Sequence, residues 1–304
     1  IHLSDNYTIN IMRRKTTTEH EKTAQLHGYT ESTIGAPFEI IDGEKGIDGK
    51  FIEVDGIQLK KVSVGAGLFN YDKMVVISHF KGHQAASFGG AMKQLGIGLI
   101  SKYGKYRSHF NGDLSINTKY CNISKCSQEC IQACPVNAIE IDGEFAVIDT
   151  STCVCCTACL ESCPVKKAIN RDFNMNFKNF IERVSDNCAG VIKSFGPKKI
   201  RYINFAFDVV AQCDCASTPS MPIIPDLGIF GSSDPVAIDK ACIDAETNAP
   251  GLPIMDKYGR WKEPISIGVE KFKAINPLVD PTWFFNAAVK NNIGSVDYEL
   301  VKLN

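Results

Sequence analysis

Apolar and polar residues alternate along the chain in runs that predict strands followed by helices. The run KMVVISH (73–79) has the composition of a short buried strand, and a glycine-rich loop and a helix-like stretch with Ala91, Met92 and Leu95 follow it. Residues 173–195 carry apolar side chains near helical spacing before a Gly-Pro pair, which predicts a helix. The alternating run KIRYINFAFDVV then predicts the next strand.

Capping signals predict two more helix starts. Asp234-Pro235 and Asp280-Pro281 each place a capping carboxylate before a proline in the first turn. Strands that alternate with helices predict an α/β fold with a layered, mostly parallel sheet as its core. The order of the strands does not follow from the pattern.

The composition argues against two classes of function, nucleic-acid binding and membrane association. The 304 residues include 33 Lys and Arg against 34 Asp and Glu, so a net charge of -1 offers no surplus for binding nucleic acid. No apolar run approaches the ~18 residues that span a bilayer, and no export signal opens the chain, so we expect a cytoplasmic protein with no membrane partner. Because the chain opens on Ile1 in a strand-like pattern, we expect it to be truncated at the amino end.

The 13 cysteines carry the strongest chemical signal, and their odd number excludes a fully paired disulfide framework. Residues 153–164 spell C-x2-C-x2-C-x3-C-P, the run that wraps a thiolate-ligated iron-sulfur cluster. A second copy lies about 30 residues upstream, where residues 121–135 spell C-x4-C-x3-C-x3-C-P and CPVNAI echoes CPVKKAI.

The tandem copies predict two 4Fe-4S clusters. In such runs the fourth cysteine of each motif ligates the cluster of the other motif. The predicted ligands of the first cluster are Cys121, Cys126, Cys130 and Cys163. Those of the second cluster are Cys134, Cys153, Cys156 and Cys159. Cys155 lies between ligands and is interpreted as a bystander. Structural zinc and disulfides are the alternatives, and neither is typical of tandem motifs that end in Cys-Pro.

Between the copies, two alternating runs around Asp142 and Gly143 predict a β-hairpin. Apolar side chains spaced through the segment are expected to pack over the clusters and exclude water. They are Ile131, Ile139, Ile141, Val147, Val154, Leu160, Val165 and Ile169. Residues 117–170 are therefore predicted to form an α+β ferredoxin-like two-cluster module, inserted between the two parts of the α/β core at residues 1–116 and 171–304.

A second group of polar residues lies in the α/β part. If 79–83 is extended, His79, Lys81 and His83 project to one face. Gly89 and Gly90 leave backbone N–H groups uncovered near a helix start, which suits an anionic ligand. The alternative is that the histidines are structural and the glycines only form a turn.

Cys213-Asp214-Cys215 directly follows a predicted strand, at the end of the sheet where α/β folds place ligands. Its two thiols share one face of an extended chain and suit a metal or cofactor, and the alternative is a pair of inert buried thiols. Asp234 is interpreted as a helix cap and Asp239 as part of a solvated helix face. Cys188 and Cys242 are interpreted as core residues.

Together with the cysteine motifs, the runs SHFKGH, FGGAMKQLGIG, CDC and IPDLGIFGSSDPVAIDKA resemble the iron-sulfur family called domain of unknown function 362. The likeness covers nearly the whole chain. It implies the architecture and the iron-sulfur cofactors, and it implies no substrate or reaction.

These patterns lead to the hypothesis of an intracellular iron-sulfur protein that relays single electrons through two 4Fe-4S clusters to or from a site on the α/β part, as an oxidoreductase of unknown substrate. The residues assigned to catalysis are His79, Lys81 and His83. Those assigned to cofactor or ligand binding are Gly89, Gly90, Cys213 and Cys215. The expected partner is a redox protein or a small anionic substrate, and a flavin is compatible although no motif indicates one. The alternatives are a non-catalytic electron carrier that docks a redox partner, and a protein whose clusters are structural or sensory.

Overall fold

The computed structural model of the chain describes residues 3–5, 16–110, 112–171, 176–215, 220–255 and 259–303. The fold is mixed α/β, with ten α-helices and several small sheets among these residues. The chain divides into two compact units. The first unit comprises residues 1–50, 65–67 and 101–175, and the second comprises residues 51–64, 68–100 and 176–304.

The first unit holds short elements around the cysteine-rich segment. Its helices are Thr17–Leu26, Glu31–Ile34, Lys102–His109, Glu129–Gln132 and Ala158–Ser162. Its strand pairs are Leu3–Asp5 with Phe38–Ile40 in parallel, and Ile139–Asp142 with Phe145–Ile148 and Ser115–Ile116 with Ile169–Asn170 antiparallel. The pairing of Ser115–Ile116 with Ile169–Asn170 brings the two ends of segment 117–170 side by side. Whether this segment is an inserted module with the predicted boundaries stays a prediction.

The β-hairpin between the cysteine motifs is confirmed. Phe145 pairs with Asp142, so Gly143 and Glu144 form a two-residue turn, and Gly143 takes a φ of 60° without strain. The expectation that all the apolar residues pack inward was wrong for Ile141 and Val147 of the hairpin, which are 47% and 46% exposed, and for Val165, which is 41% exposed. A two-stranded sheet has too few neighbours to bury every apolar position.

A three-stranded sheet forms the centre of the second unit. Its middle strand, Ile200–Ala206, pairs in parallel with Met74–His79 and antiparallel with Gly228–Ser232. The sheet is therefore mixed, whereas a mostly parallel sheet was expected. Every second side chain of the middle strand, beginning at Ile200, is buried, because alternate side chains of a strand point to opposite faces.

Further helices and separate two-stranded sheets complete the second unit. Its helices are Ala91–Lys93, which continues as the π-helix Gln94–Gly98, then Phe177–Phe195, Pro235–Asn248, Lys271–Ile275 and Pro281–Lys290. Its further strand pairs are Lys81–His83 with Ser87–Gly89 and Ile254–Met255 with Trp261–Lys262. The strand pair Gly49–Glu53 with Lys61–Gly65 lies mainly in this unit.

The predicted helix caps are confirmed. The Asp234 carboxylate accepts hydrogen bonds from the backbone of the first turn that follows it, and Asp280 does the same for the last helix. The long helix begins at Phe177 after the cap Asn176, and the predicted start at 173 lies outside the described residues. No helix in the described part of the chain has the length and apolar character needed to cross a membrane.

Candidate functional site

The two cysteine motifs fold alike despite their different spacing. In each, a residue with left-handed backbone, Gln128 (φ 59°) or Thr157 (φ 65°), begins a short helix that carries the third cysteine, Cys130 or Cys159. Non-glycine residues rarely adopt this conformation, so its use at equivalent places indicates that the backbone is bent to direct the cysteines. The extra residues of the upstream motif lie before Gln128, where they leave this bend unchanged.

Cysteines of both motifs line one cavity of about 420 Å³ in the first unit, part of which is open to solvent. These cysteines are Cys121, Cys126, Cys130 and Cys163. Apolar side chains, among them Ile116 and Ile169, form much of the remaining wall. Three thiols of the upstream motif therefore share a cavity with the last thiol of the downstream motif.

A second cavity, of about 290 Å³ including the part open to solvent, has the reciprocal composition. The thiols at its wall are Cys134, Cys153, Cys155, Cys156 and Cys159. The wall of this cavity also includes the apolar side chains of Leu114, Ile139 and Ile148. The last cysteine of the upstream motif thus joins the downstream motif, and Cys155 contributes a fifth sulfur.

Backbone amides point at several of these sulfur atoms. The N–H of Ala138 donates to Cys134 Sγ at 3.2 Å, and that of Ala146 donates to Cys121 Sγ at 3.5 Å. Within the downstream motif, the N–H of Cys155 donates to Cys153 Sγ at 3.4 Å. Such donors stabilise negative charge on sulfur and are one means by which a protein sets the potential of a thiolate-held cluster.

Burial makes some of these thiols resist ionisation, although the hydrogen bonds from Cys155 lower the pKa of Cys153 to about 7. Burial raises the pKa of Cys130, and the neighbouring Cys163 acts in the same direction. Burial, together with Cys156 and Cys153, raises the pKa of Cys159 to about 12. Four adjacent thiolates therefore need a cationic centre to hold their charge, and four soft sulfur ligands around one cavity fit an iron-sulfur group.

A second site, in the second unit, forms where the chain after the middle strand runs beside residues 80–83. The N–H of Phe80 donates to the Phe205 carbonyl and that of Gly82 to the Val210 carbonyl, both at 2.8 Å. A Cβ atom at Gly82 would lie 2.3 Å from the Ala211 carbonyl oxygen, so only glycine permits this close approach. The approach places residues 213–215 beside three of the residues assigned to catalysis.

Asp214 is paired with two of these residues. Its carboxylate lies 3.0 Å from His79 Nδ1 and 2.8 Å from Lys81 Nζ. Burial favours the neutral acid, but the hydrogen bond to His79 and the charge of Lys81 outweigh it and hold the pKa of Asp214 well below its usual range. The same hydrogen bond raises the pKa of His79.

Cys213 is the buried centre of a second set of contacts. The ligand atoms of His83, Cys213 and Cys215 lie within 4.8 Å of one another, and Lys93 Nζ lies 4.0 Å from Cys213 Sγ. The hydrogen bond from Cys215 lowers the pKa of Cys213 well below that of a free thiol, and His83 and Lys93 act in the same direction against the effect of burial. Cys215 is exposed, and its hydrogen bond to Cys213 raises its pKa.

The backbone donors next to Gly89 and Gly90 are already engaged. The N–H groups of Ala91 and Met92 donate to the two carboxylate oxygens of Asp239 at 2.8 and 2.9 Å. Asp239 is fully buried, so its interpretation as a solvated residue was wrong, because the helix Pro235–Asn248 turns it into the interior. Burial raises the pKa of Asp239 to about 6. An anion-binding role for the two glycines stays a prediction.

The structure thus gathers His79, Lys81 and His83 around the tripeptide Cys213-Asp214-Cys215, which we call the tripeptide site. Sequence reasoning did not assign Asp214 to the site, although its position between two thiols was a signal for it. Lys93 had no signal, since it lies 120 residues from Cys213 in the chain.

A family model described as domain of unknown function (DUF362) matches residues 3–244. The chain belongs to the DUF362 family. Within this DUF362 protein, 62 residues, 20% of the chain, are 34% identical to a ferredoxin from Alicyclobacillus acidocaldarius subsp. acidocaldarius and cover 80% of that ferredoxin. No solved structure matches the chain.

Proposed function

We propose that this protein is an iron-sulfur electron-transfer protein whose two cysteine-lined cavities each hold a 4Fe-4S cluster. The observation that carries the proposal is the crossed composition of the cavities, each with three cysteines of one motif and the last cysteine of the other. Tandem bacterial cluster motifs share their ligands in this way. The similarity to a ferredoxin over 62 residues supports the same assignment.

A bound cluster supplies a centre that accepts and releases one electron. The residues of the chain hold it and adjust its potential. The amides of Ala138, Ala146 and Cys155 donate to ligand sulfurs, which favours the more negative, reduced state. The apolar walls that include Leu114, Ile139 and Ile169 limit the access of water to the clusters.

We further propose that these electrons serve an oxidoreductase reaction at the tripeptide site of the second unit. Both partners of the His79 ring, the Asp214 carboxylate and the Phe207 carbonyl, accept hydrogen bonds, so the ring is favoured as an imidazolium that can deliver a proton. Lys81 adds a positive charge suited to an anionic substrate. Gly89 lies beside the Lys81 and Lys93 side chains, where a bound ligand would meet it.

The similarity to a ferredoxin also favours a second function, that of a carrier whose second unit only docks a redox partner. The two functions differ in their response to substitution at the tripeptide site. His79→Ala or Lys81→Ala should leave the reduction of a partner protein unchanged in a carrier, and should lower turnover at least tenfold in an oxidoreductase.

The test of the cluster assignment is anaerobic purification followed by iron and sulfide analysis and low-temperature electron paramagnetic resonance after dithionite reduction. We expect about eight iron atoms and about eight sulfides per chain. Cys155→Ala is the matched control and should keep the full complement, since Cys155 lies in the same loop but is not a predicted ligand. Stoichiometric zinc without sulfide would contradict the assignment.

A further inference from the structure

The pair Cys213 and Cys215 has a feature that a metal site does not explain. The N–H groups of Ala85 and Ala86 both donate to His83 Nδ1, at 3.1 and 2.9 Å. An imidazole nitrogen that accepts hydrogen bonds carries no proton, so the single proton of the neutral ring is on Nε2. Burial lowers the pKa of His83 to about 4 and keeps the ring in this neutral form at neutral pH.

This tautomer makes His83 a donor toward Cys213. A histidine that binds a metal through one nitrogen normally donates from the other, and both backbone contacts of Nδ1 prevent that here. The Nε2–H group is instead suited to stabilise a thiolate at Cys213, which also faces the Lys93 ammonium at 4.0 Å and accepts from the backbone N–H of Cys215 at 3.4 Å.

The two thiols differ in exposure in a way that fits thiol–disulfide chemistry. Cys213 is buried beside its donors, whereas Cys215 is exposed. In exchange reactions a thiolate attacks one sulfur of a disulfide, and the sulfur with the better stabilised thiolate leaves faster. A disulfide between these residues would therefore present Cys215 to an incoming thiolate and release Cys213 toward His83 and Lys93.

We infer that Cys213 and Cys215 form a reversible disulfide that oxidises a dithiol substrate, with Cys215 as the sulfur attacked and Cys213 as the leaving group. The substrate thiolate bonds to Cys215 Sγ as the S–S bond breaks and Cys213 leaves as thiolate. The second substrate thiol then loses its proton and attacks the substrate sulfur of this mixed disulfide. The substrate leaves as a disulfide, and Cys215 takes up a proton as a thiol.

Reoxidation of the pair rests on the proposed function. The S–S bond forms again as the Cys215 proton and two electrons leave the pair, and clusters held by the cysteines of the first unit would supply the one-electron acceptors. The two one-electron centres proposed for the first unit thus match the two electrons of one dithiol oxidation.

The test is a titration of the full chain in buffers of reduced and oxidised dithiothreitol, followed by alkylation, trypsin digestion and mass spectrometry. The tryptic peptide 202–240 contains Cys213 and Cys215 and no other cysteine, so it reports on this pair alone. We expect the peptide to pass reversibly between a dialkylated form and a form with one internal disulfide. Two alkylated thiols in every buffer would overturn the inference.

Lys93 supplies the graded test. Lys93→Met removes the charge that favours the reduced pair, so the equilibrium with dithiothreitol should shift about tenfold toward the disulfide, or about 30 mV toward more negative potential. Lys93→Arg keeps the positive charge and should keep the wild-type midpoint. Lys290→Met replaces an exposed lysine and should leave the midpoint unchanged. An unchanged midpoint in Lys93→Met would count against the role of Cys213 as the stabilised thiolate.

The mixed disulfide gives a second measurement. With reduced glutathione as the probe, the oxidised pair should be attacked at exposed Cys215, and rapid alkylation should trap a peptide 202–240 with glutathione on Cys215 and the alkyl group on Cys213. Glutathione found mainly on Cys213 would overturn the assignment of the attacked sulfur.

Iron and sulfide analysis of the same samples separates this inference from the proposed function. Cys213→Ser and Cys215→Ser should keep the wild-type iron and sulfide content. Loss of a bound metal in these variants and in His83→Ala would show a metal site and overturn the inference. A wild-type chain without iron would contradict the proposed function, while the dithiothreitol titration would still test the disulfide.

Discussion

His79 Nδ1 lies 3.0 Å from a carboxylate oxygen of Asp214, although 135 residues separate the two along the chain. The other ring nitrogen lies 2.8 Å from the carbonyl oxygen of Phe207. Because neither partner of the ring can donate, both contacts are satisfied together only by the doubly protonated imidazolium. This pairing connects the end of the strand Met74–His79 to the thiol-bearing tripeptide.

The pairing predicts a pH dependence of stability. The pKa of His79 is raised above the value of the unfolded chain, so its contribution is complete below pH ~6.5 and is lost as pH rises through the folded-state pKa. Asp214→Asn should lower the His79 pKa measured by NMR. The stability difference between wild type and variant should be largest between about pH 4 and pH 6.5, where Asp214 is ionised and His79 is protonated, and should shrink at alkaline pH to the part contributed by Lys81.

Asp55→Asn is the control for this measurement, since it removes a fully exposed carboxylate of the same unit that pairs with Lys60 and not with His79. It should leave the His79 titration unchanged. A His79 pKa in Asp214→Asn equal to that of the wild type would contradict the proposed pairing.

The crossed composition of the two cavities predicts which cysteine substitutions are additive. Cys130→Ser and Cys163→Ser affect the same proposed cluster, so the double variant should keep about four iron atoms, as each single variant does. Cys130→Ser combined with Cys134→Ser affects both clusters, although these two cysteines belong to one motif, and should lose nearly all iron. Iron analysis after anaerobic purification distinguishes this pattern from uncrossed ligation, which predicts the opposite result for the two pairs.

Asp239→Asn should destabilise the second unit. The carboxylate accepts from Ala91 and Met92 through different oxygens, and Asn204 also donates to it at 2.7 Å. An amide in its place turns one NH2 group toward a buried donor, which costs about 2 kcal/mol of unfolding free energy. Urea unfolding checks the value, and Asp55→Asn should change it by less than about 0.5 kcal/mol. Equal stability of the two variants would argue against a structural role for Asp239.

Gly96 allows the π-helix Gln94–Gly98 to approach the helix Phe177–Phe195. A Cβ atom at Gly96 would lie 2.3 Å from the carbonyl oxygen of Val184, and a backbone atom in a helix cannot move aside easily. Gly96→Ala should therefore lower the unfolding free energy by about 1–3 kcal/mol. Gly231→Ala, whose added Cβ has its first neighbour at 4.0 Å, should be tolerated in the same thermal or urea unfolding experiment.

Sequence reasoning succeeded where the structural signal is local. The caps at Asp234 and Asp280 and the turn at Gly143 depend on a few neighbouring residues, and all three are present. The bend before the third cysteine is likewise local and occurs in both motifs, whereas the crossed ligation of two clusters stays a prediction. The relative direction of the strands could not be predicted in this way. The direction of Gly228–Ser232 depends on how the chain returns to the middle strand.

The cysteine spacing by itself predicted the two sets of four thiols that line the two cavities, because tandem motifs of this kind share their last cysteines, and the ligation of clusters by these sets stays a prediction. Tertiary structure alone decided the environment of Cys213 and Cys215. His83, Lys93 and Cys213 meet because the chain that follows the middle strand runs beside residues 80–83, where the Gly82 N–H donates to the Val210 carbonyl. It also decided that Asp239 is buried, because the face that a helix turns inward depends on the elements it packs against.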